Sequence, residues 1–205
     1  MKSNEKRLQE LIRFLDSLDH IEIEDIPQID LYMDQVTTFM ESHLKDLKRY
    51  PDDKVLTKTM INNYAKNRLL PPPVRKKYTQ DHILLLIFIY YFKNLLNFND
   101  IETIFSYITE HHFGAKAVPL SEVYAEVFSL EHGQMERLKD DISAKFKAAG
   151  ESFPDVKDPA EQSALQLFAF ICELAFDVYL KKQMIERLID EIRAESIPEK
   201  ANKKK

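Results

Sequence analysis

The sequence predicts a mainly α-helical protein, and three observations lead there. Apolar residues recur at three- and four-residue spacing along almost all of the 205 residues, and no stretch alternates strictly enough for a long strand. There are 3 glycines, Gly114, Gly133 and Gly150, none near another. That disfavours a turn-rich β sandwich or barrel, and it removes the Gly-rich loops that cradle phosphates. The composition is 44 % apolar and 31 % charged, so a chain of this length buries a core without metal or disulfide staples. Cys172 stands alone, which excludes an internal disulfide and a multi-cysteine zinc site.

The elements follow in order. Leu8, Leu11, Ile12, Leu15 and Leu18 make a first amphipathic helix. Its acids Glu5, Glu10 and Asp16 are foreign to a signal segment. A loop around Ile21–Pro27 precedes a second helix over roughly 29–47, with Leu31, Val36, Phe39, Met40, Leu44 and Leu47 inward. Tyr50-Pro51-Asp52-Asp53 is a turn, and Thr57 caps a short helix to about Asn67. Pro71-Pro72-Pro73 stops it, because proline lacks the N–H a helix needs. Thr79 caps an apolar helix to about Leu96, in whose first turn His82 is expected as half-buried packing. Asn99-Asp100-Ile101-Glu102 reads as the capping box of the next helix. Ser121 opens a helix to about Leu130, and a separate one is expected over Met135–Ala148. Asp158-Pro159-Ala160-Glu161 combines a cap, proline at the first helical position and an acid in the first turn. The helix it starts should run to about Ser196, ended by Pro198 and followed by a basic tail. The most apolar run, Ile83–Phe92, is ten residues, half of what a membrane span needs. No membrane partner is expected, and the expected location is cytoplasmic.

Charge is segregated. The chain carries a net −5, yet the 27 residues Lys54–Gln80 contain no Asp or Glu. The same window holds Lys54, Lys58, Lys66, Arg68, Arg75, Lys76 and Lys77, which leaves −12 on the rest. Such a window is either a solvated surface or a positive face for an anionic partner. At 100° per residue, Met60, Ile61, Tyr64 and Ala65 share one side of the Thr57–Asn67 helix. Lys58, Thr59, Asn62, Asn63 and Lys66 share the other. Those side chains suit a major groove: lysine for phosphate or guanine, asparagine for adenine, threonine for a hydroxyl and a methyl contact. The three prolines then hold the backbone extended toward Arg75, Lys76 and Lys77, as in a short β-wing whose tip lies along phosphates. A helix after a turn after a helix is also the helix-turn-helix order.

These residues resemble the MerR-type winged helix-turn-helix family. Tyr64 stands where that family ends its recognition helix, Arg68-Leu69-Leu70-Pro71 matches its "GLL-P" stop with Arg68 for the glycine, and Lys76-Lys77-Tyr78 matches its "R-x-Y" wing end. Leu96-Asn97-Phe98-Asn99-Asp100-Ile101 matches the turn into its following helix. More closely, "IDLYMDQVTTFM", "LTKTMINNY" and "LLPPP" resemble an uncharacterised domain-of-unknown-function family of Gram-positive bacteria described as MerR-like. The resemblance spans roughly residues 26–108. Two departures stand out: the segment before Thr57 is longer than the tight MerR turn, and Asn62 and Asn63 replace the arginine before the tyrosine.

The resemblance implies a MerR-like winged-helix region over 1–113, and the residues beyond it read as a helical C-terminal domain over 114–198 and a basic tail over 199–205. The resemblance also implies a sequence-specific DNA-binding transcriptional regulator whose partner is double-stranded DNA. Lys58, Thr59, Asn62, Asn63 and Lys66 would read bases and Arg75, Lys76 and Lys77 would hold phosphates. The alternative is a non-catalytic protein-interaction module on the same scaffold. An enzyme acting on a phosphorylated substrate would need a cleft at the same lysines. No catalytic constellation is legible, no cofactor is expected, and adjacent His111 and His112 point too far apart to grip one metal. In the last helix Leu167, Ile171, Leu174, Val178, Ile185, Leu188 and Ile192 follow 4-3 spacing, with a second stripe of Phe168, Cys172, Ala175 and Tyr179. The N-terminal half should therefore be buried in its own domain. The C-terminal half carries a seam for a partner helix, within one bundle or in a homodimer.

Overall fold

The computed structural model describes residues 2–18, 20–114 and 116–195. The basic tail expected over 199–205 lies outside them. The described elements are α1 (Asn4–Asp16), β1 (Leu31–Tyr32), α2 (Met33–Leu44), α3 (Lys58–Lys66), β2 (Lys77–Tyr78), α4 (Gln80–Phe92), α5 (Phe98–His112), α6 (Leu120–Gly150) and α7 (Pro159–Glu195). The protein is mainly α, and its two short strands pair antiparallel with Leu31 opposite Tyr78 and Tyr32 opposite Lys77. Packing groups the chain into two compact units, each discontinuous in sequence. Among the described residues, one holds those up to 20 with 127–183, and the other holds those over 21–126 with 184–195.

The 21–126 unit is built around α4. His82 through Ile87, Ile89 and Tyr90 are all buried, as a helix apolar on every side must be. Val36, Phe39, Met40 and Leu44 of α2 and Ile61 and Tyr64 of α3 are buried too. The tight end of α3 sends Leu69 and Leu70 inward, both with no exposed surface. Tyr124 is buried and its hydroxyl donates to the Ile21 carbonyl at 2.6 Å. Asp100, buried in the first turn of α5, accepts from Arg193 Nη2 at 3.0 Å and from Asn97 Nδ2 at 2.6 Å.

The other unit has a small core of Ile142, Ala149 and Phe170, flanked by Leu8, Ile12 and Leu15 of α1 and by Leu138, Phe146 and Leu174. Asn4 Nδ2 donates to the Ser163 carbonyl at 2.9 Å and Lys139 pairs with Asp16 at 2.6 Å. These contacts fix α1 on α7 and on α6.

Several expectations need correction. The second helix begins at Met33, not near Ile29, because Leu31 and Tyr32 pair as a strand. A two-residue strand is too short to show a period. The cap of α5 is Asn97, whose side chain accepts from the Asp100 N–H; Asn99 is already helical. The expected break between Leu130 and Met135 is absent: α6 runs unbroken through Gly133, since one glycine costs a helix only about 1 kcal/mol. The N-terminal half of α7 is not buried. Phe168 and Phe176 are 62 % and 63 % exposed, Ile171, Val178, Tyr179 and Leu180 are exposed as well, and Phe170 is the buried phenylalanine of the three. With α1 and α6 as its neighbours in this unit, α7 has one covered face. By length and composition alone α7 is long and apolar enough to cross a membrane, with 6 % of its apolar window buried. Asp177 in α7 pairs with Lys181 at 2.8 Å and with Lys145 of α6 at 3.6 Å, which holds its carboxyl below the usual range.

His82 is fully buried rather than half-buried. It replaces the acid of a capping box: its Nδ1 accepts from the Thr79 N–H at 3.0 Å. Its Nε2 is shut from solvent without a hydrogen bond among the described residues. Burial lowers its affinity for a proton, against the pull of the Pro71 and Pro72 carbonyls, Asp81 and Asp30. A histidine harder to protonate when folded binds its proton preferentially in the unfolded chain. Its contribution is therefore complete above the unfolded value of about 6.5 and is lost as pH falls from there toward the folded value. The thermal midpoint should drop between pH 7.5 and 5.5, and the drop should shrink in His82→Gln, which keeps the cap acceptor. An equal drop in the variant would assign the pH dependence elsewhere.

Candidate nucleic-acid interface

The sequence of α3 fixes both its ends. Thr57, with extended backbone, accepts from the Met60 N–H at 3.2 Å through its hydroxyl. At the other end Arg68 takes a left-handed conformation, φ 63°, and the Leu69 N–H turns back to the Tyr64 carbonyl at 2.9 Å. Glycine is the residue that adopts this conformation freely. Arg68→Gly should accordingly raise stability by about 0.5–1 kcal/mol, read as a higher denaturant midpoint at unchanged slope. A lower midpoint would exclude strain at this position.

Between its ends α3 sorts its residues as the periodicity predicts. Ile61 and Tyr64 are buried, while Lys58, Thr59, Asn62, Asn63 and Lys66 are all exposed. The helix itself carries no acid, but a neighbour supplies one: Lys58 is ion-paired with Asp34 in the first turn of α2. Both partners are largely exposed, and such pairs are worth little.

The segment before α3 is pinned although it is long. Lys48 Nζ donates to Glu41 Oε1 at 2.6 Å and to the Pro51 carbonyl at 3.1 Å. The Val55 N–H donates to Glu41 Oε2 at 3.3 Å, and Lys93 Nζ donates to the Val55 carbonyl at 2.8 Å. The Lys48 hydrogen bond draws the Glu41 carboxyl below its ordinary value, and burial lowers that of Lys93.

Downstream, the backbone reverses over Val74–Lys77, with the Lys77 N–H donating to the Val74 carbonyl at 3.0 Å. Both central residues have positive φ, Arg75 at 52° and Lys76 at 64°. This is the turn that twists with its strands and ordinarily takes Asn-Gly. Two long cations stand there instead, both exposed. Lys77 is half-buried, with its ammonium 5.4 Å from the centre of the Tyr32 ring.

The hairpin and α3 are joined through a chain of contacts. Lys77 pairs in register with Tyr32, α2 starts at the next residue, and Asp34 of its first turn reaches Lys58. Lys58 is thus tied to the hairpin. Asn62, Asn63 and Lys66 share the exposed side of α3, and among the described residues no hydrogen bond or ion pair ties their side chains to the hairpin. Beside the start of α3 an open groove of about 630 Å³ is lined by Thr37, Thr38, Ser42, Lys45, Lys54 and Lys58, among others.

Sequence reasoning did not select Tyr32, Lys45, Lys54 or Arg68 as site residues. Lys54 and Arg68 lie inside the acid-free window, so charge alone could have included them. Tyr32 and Lys45 flank a helix whose contact with α3 is tertiary, and no local signal marks them. Among the described residues no group of histidine, cysteine or acidic side chains is placed to hold a metal. His111 stacks on Tyr107 and hydrogen-bonds its carbonyl at 3.0 Å, and His112 bonds the Val118 carbonyl at 3.0 Å.

No curated protein and no solved structure matches this chain. A family model does, over residues 21–127, and that stretch holds α3, the hairpin and α4. More than half of the sequence lies within it, and the chain belongs to the family described as domain of unknown function DUF1836.

Proposed function

We propose that this protein is a DNA-binding transcriptional regulator built on a MerR-like winged helix-turn-helix. The observations that support the reading are the exposed outer side of α3, a helix with no acid of its own, and the two exposed cations Arg75 and Lys76 held at positive φ at the hairpin tip. Backbone strain of this kind persists where a site needs it. Lys58, Thr59, Asn62, Asn63 and Lys66 read base edges, and Arg75, Lys76 and Lys77 hold phosphates. Lys45 and Lys54 add contacts along the open groove. The exposed apolar residues of α7 support pairing with a second copy, and sedimentation equilibrium showing a monomer at assay concentration would remove that part. They equally favour the alternative of a protein-interaction module.

The test is selection of bound fragments from random duplex DNA at two salt concentrations. Enrichment of a common sequence is expected. With about four phosphates neutralised per protomer, log K should fall with log[salt] with a slope of roughly −3.6. Absence of retention at low salt would overturn the reading.

A further inference from the structure

The open face of α7 in the unit that holds α1 has an order of its own. At 100° per residue Leu165, Phe168, Cys172, Ala175 and Tyr179 fall on one line, spaced by three and four. Phe168 and Tyr179 are 62 % and 58 % exposed, Ala175 is exposed and Cys172 is half-buried. Phe170, on the opposite side of the helix, belongs to the core with Ile142 and Ala149 of α6. From Phe168 to Tyr179 the line runs aromatic, small, small, aromatic, and it reads the same in either direction about a midpoint between Glu173 and Leu174. Glu161 continues the line at one end and Lys182 at the other. Ile171, Phe176, Val178 and Leu180 flank it, each more than half exposed. With Phe168 and Tyr179 they leave on the order of 700 Å² open, near the ~800 Å² per partner that a stable interface covers. Lipid tails would impose neither that order of sizes nor opposite charges at the two ends.

We propose that this face is covered by the same face of a second copy, the two α7 helices antiparallel about a two-fold axis between residues 173 and 174. This register rests on the pairing with a second copy and not on DNA binding. In a two-fold interface residue i meets j and j meets i, so Phe168 packs on the partner's Tyr179 and Cys172 on the partner's Ala175. Aromatic rings meet at both ends and small side chains at the axis. Lys182 of each copy comes within a helical turn of the partner's Glu161. A parallel pair would keep the sizes matched but set Glu161 against Glu161 and Lys182 against Lys182.

The test is sedimentation equilibrium of the full chain with a spin-label distance. Ala160→Cys in a Cys172→Ala background puts one label per copy at the exposed start of α7. At a rise of 1.5 Å per residue the labels should stand about 40 Å apart in the antiparallel pair and under about 25 Å in a parallel one. Phe168→Lys and Tyr179→Glu, both at exposed positions, should each weaken self-association about thirtyfold or more with the helical signal unchanged. The two together should restore it, because each introduced cation then faces the partner's introduced anion. A monomer at assay concentration, or one that floats with phosphatidylcholine vesicles, would overturn the proposal and the pairing with it. A dimer with labels under about 25 Å apart would overturn the proposal and leave the pairing standing. So would a dimer unaffected by the single substitutions, or a double variant that dissociates as readily as they do.

Discussion

Lys58→Glu combined with Lys66→Glu is expected to abolish retention on duplex DNA at low salt, a loss on the order of 10²-fold or more. Each reversal removes an attraction to phosphate and adds a repulsion, so the local charge changes by four. Both side chains are exposed on the outer side of α3, so no buried contact is lost. An acid at the first helical position complements the N-terminal dipole, which offsets the new repulsion between the introduced carboxylate and Asp34. Far-UV circular dichroism should therefore be unchanged while fluorescence anisotropy with labelled duplex shows no binding. Native-like affinity in the double variant would take this face out of any DNA complex.

The second large effect has two opposite signs. Arg75→Asn with Lys76→Gly should stabilise the fold and weaken the DNA complex together. An ordinary L residue in the left-handed region costs roughly 1–2 kcal/mol, and Arg75 and Lys76 both sit there. Asn-Gly is the pair that this turn accepts with least strain, so unfolding free energy should rise by about 1–2 kcal/mol. The same change deletes two cations from the hairpin tip. The salt slope should become shallower by about 1.8, for two phosphates no longer neutralised. Equilibrium denaturation and a salt series on one preparation check both halves. A variant that gains stability and keeps its full salt slope would leave the hairpin as a structural turn with no phosphate contact.

Legibility differed between the two units. In the 21–126 unit the signals were local and strong: Thr57 and Thr79 as caps, the triple proline as a stop, and a two-sided short helix. Each maps onto α3 or α4 within a residue or two at the start. The exposure of Asn62 and Lys66 followed from helical period alone. What stayed hidden was tertiary. Pairing of Leu31-Tyr32 with Lys77-Tyr78 has no pattern of its own, and nothing near Lys58 in sequence announces Asp34. The two left-handed cations were invisible for a different reason: a turn rule that looks for glycine passes over Arg-Lys. In the other unit the apolar stripes of α7 read as core, because periodicity reports which residues are greasy and not how many neighbours exist to cover them. With α1 and α6 beside it, that unit leaves Phe168 and Phe176 open.

The left-handed pair at the hairpin tip has an evolutionary corollary. A screen that rewards foldability alone should drift these two codons toward asparagine, aspartate or glycine, and should discard valine, isoleucine and threonine there first. Retention of arginine and lysine across related genomes would therefore reveal a selective pressure other than folding, readable from aligned genes without any coordinates.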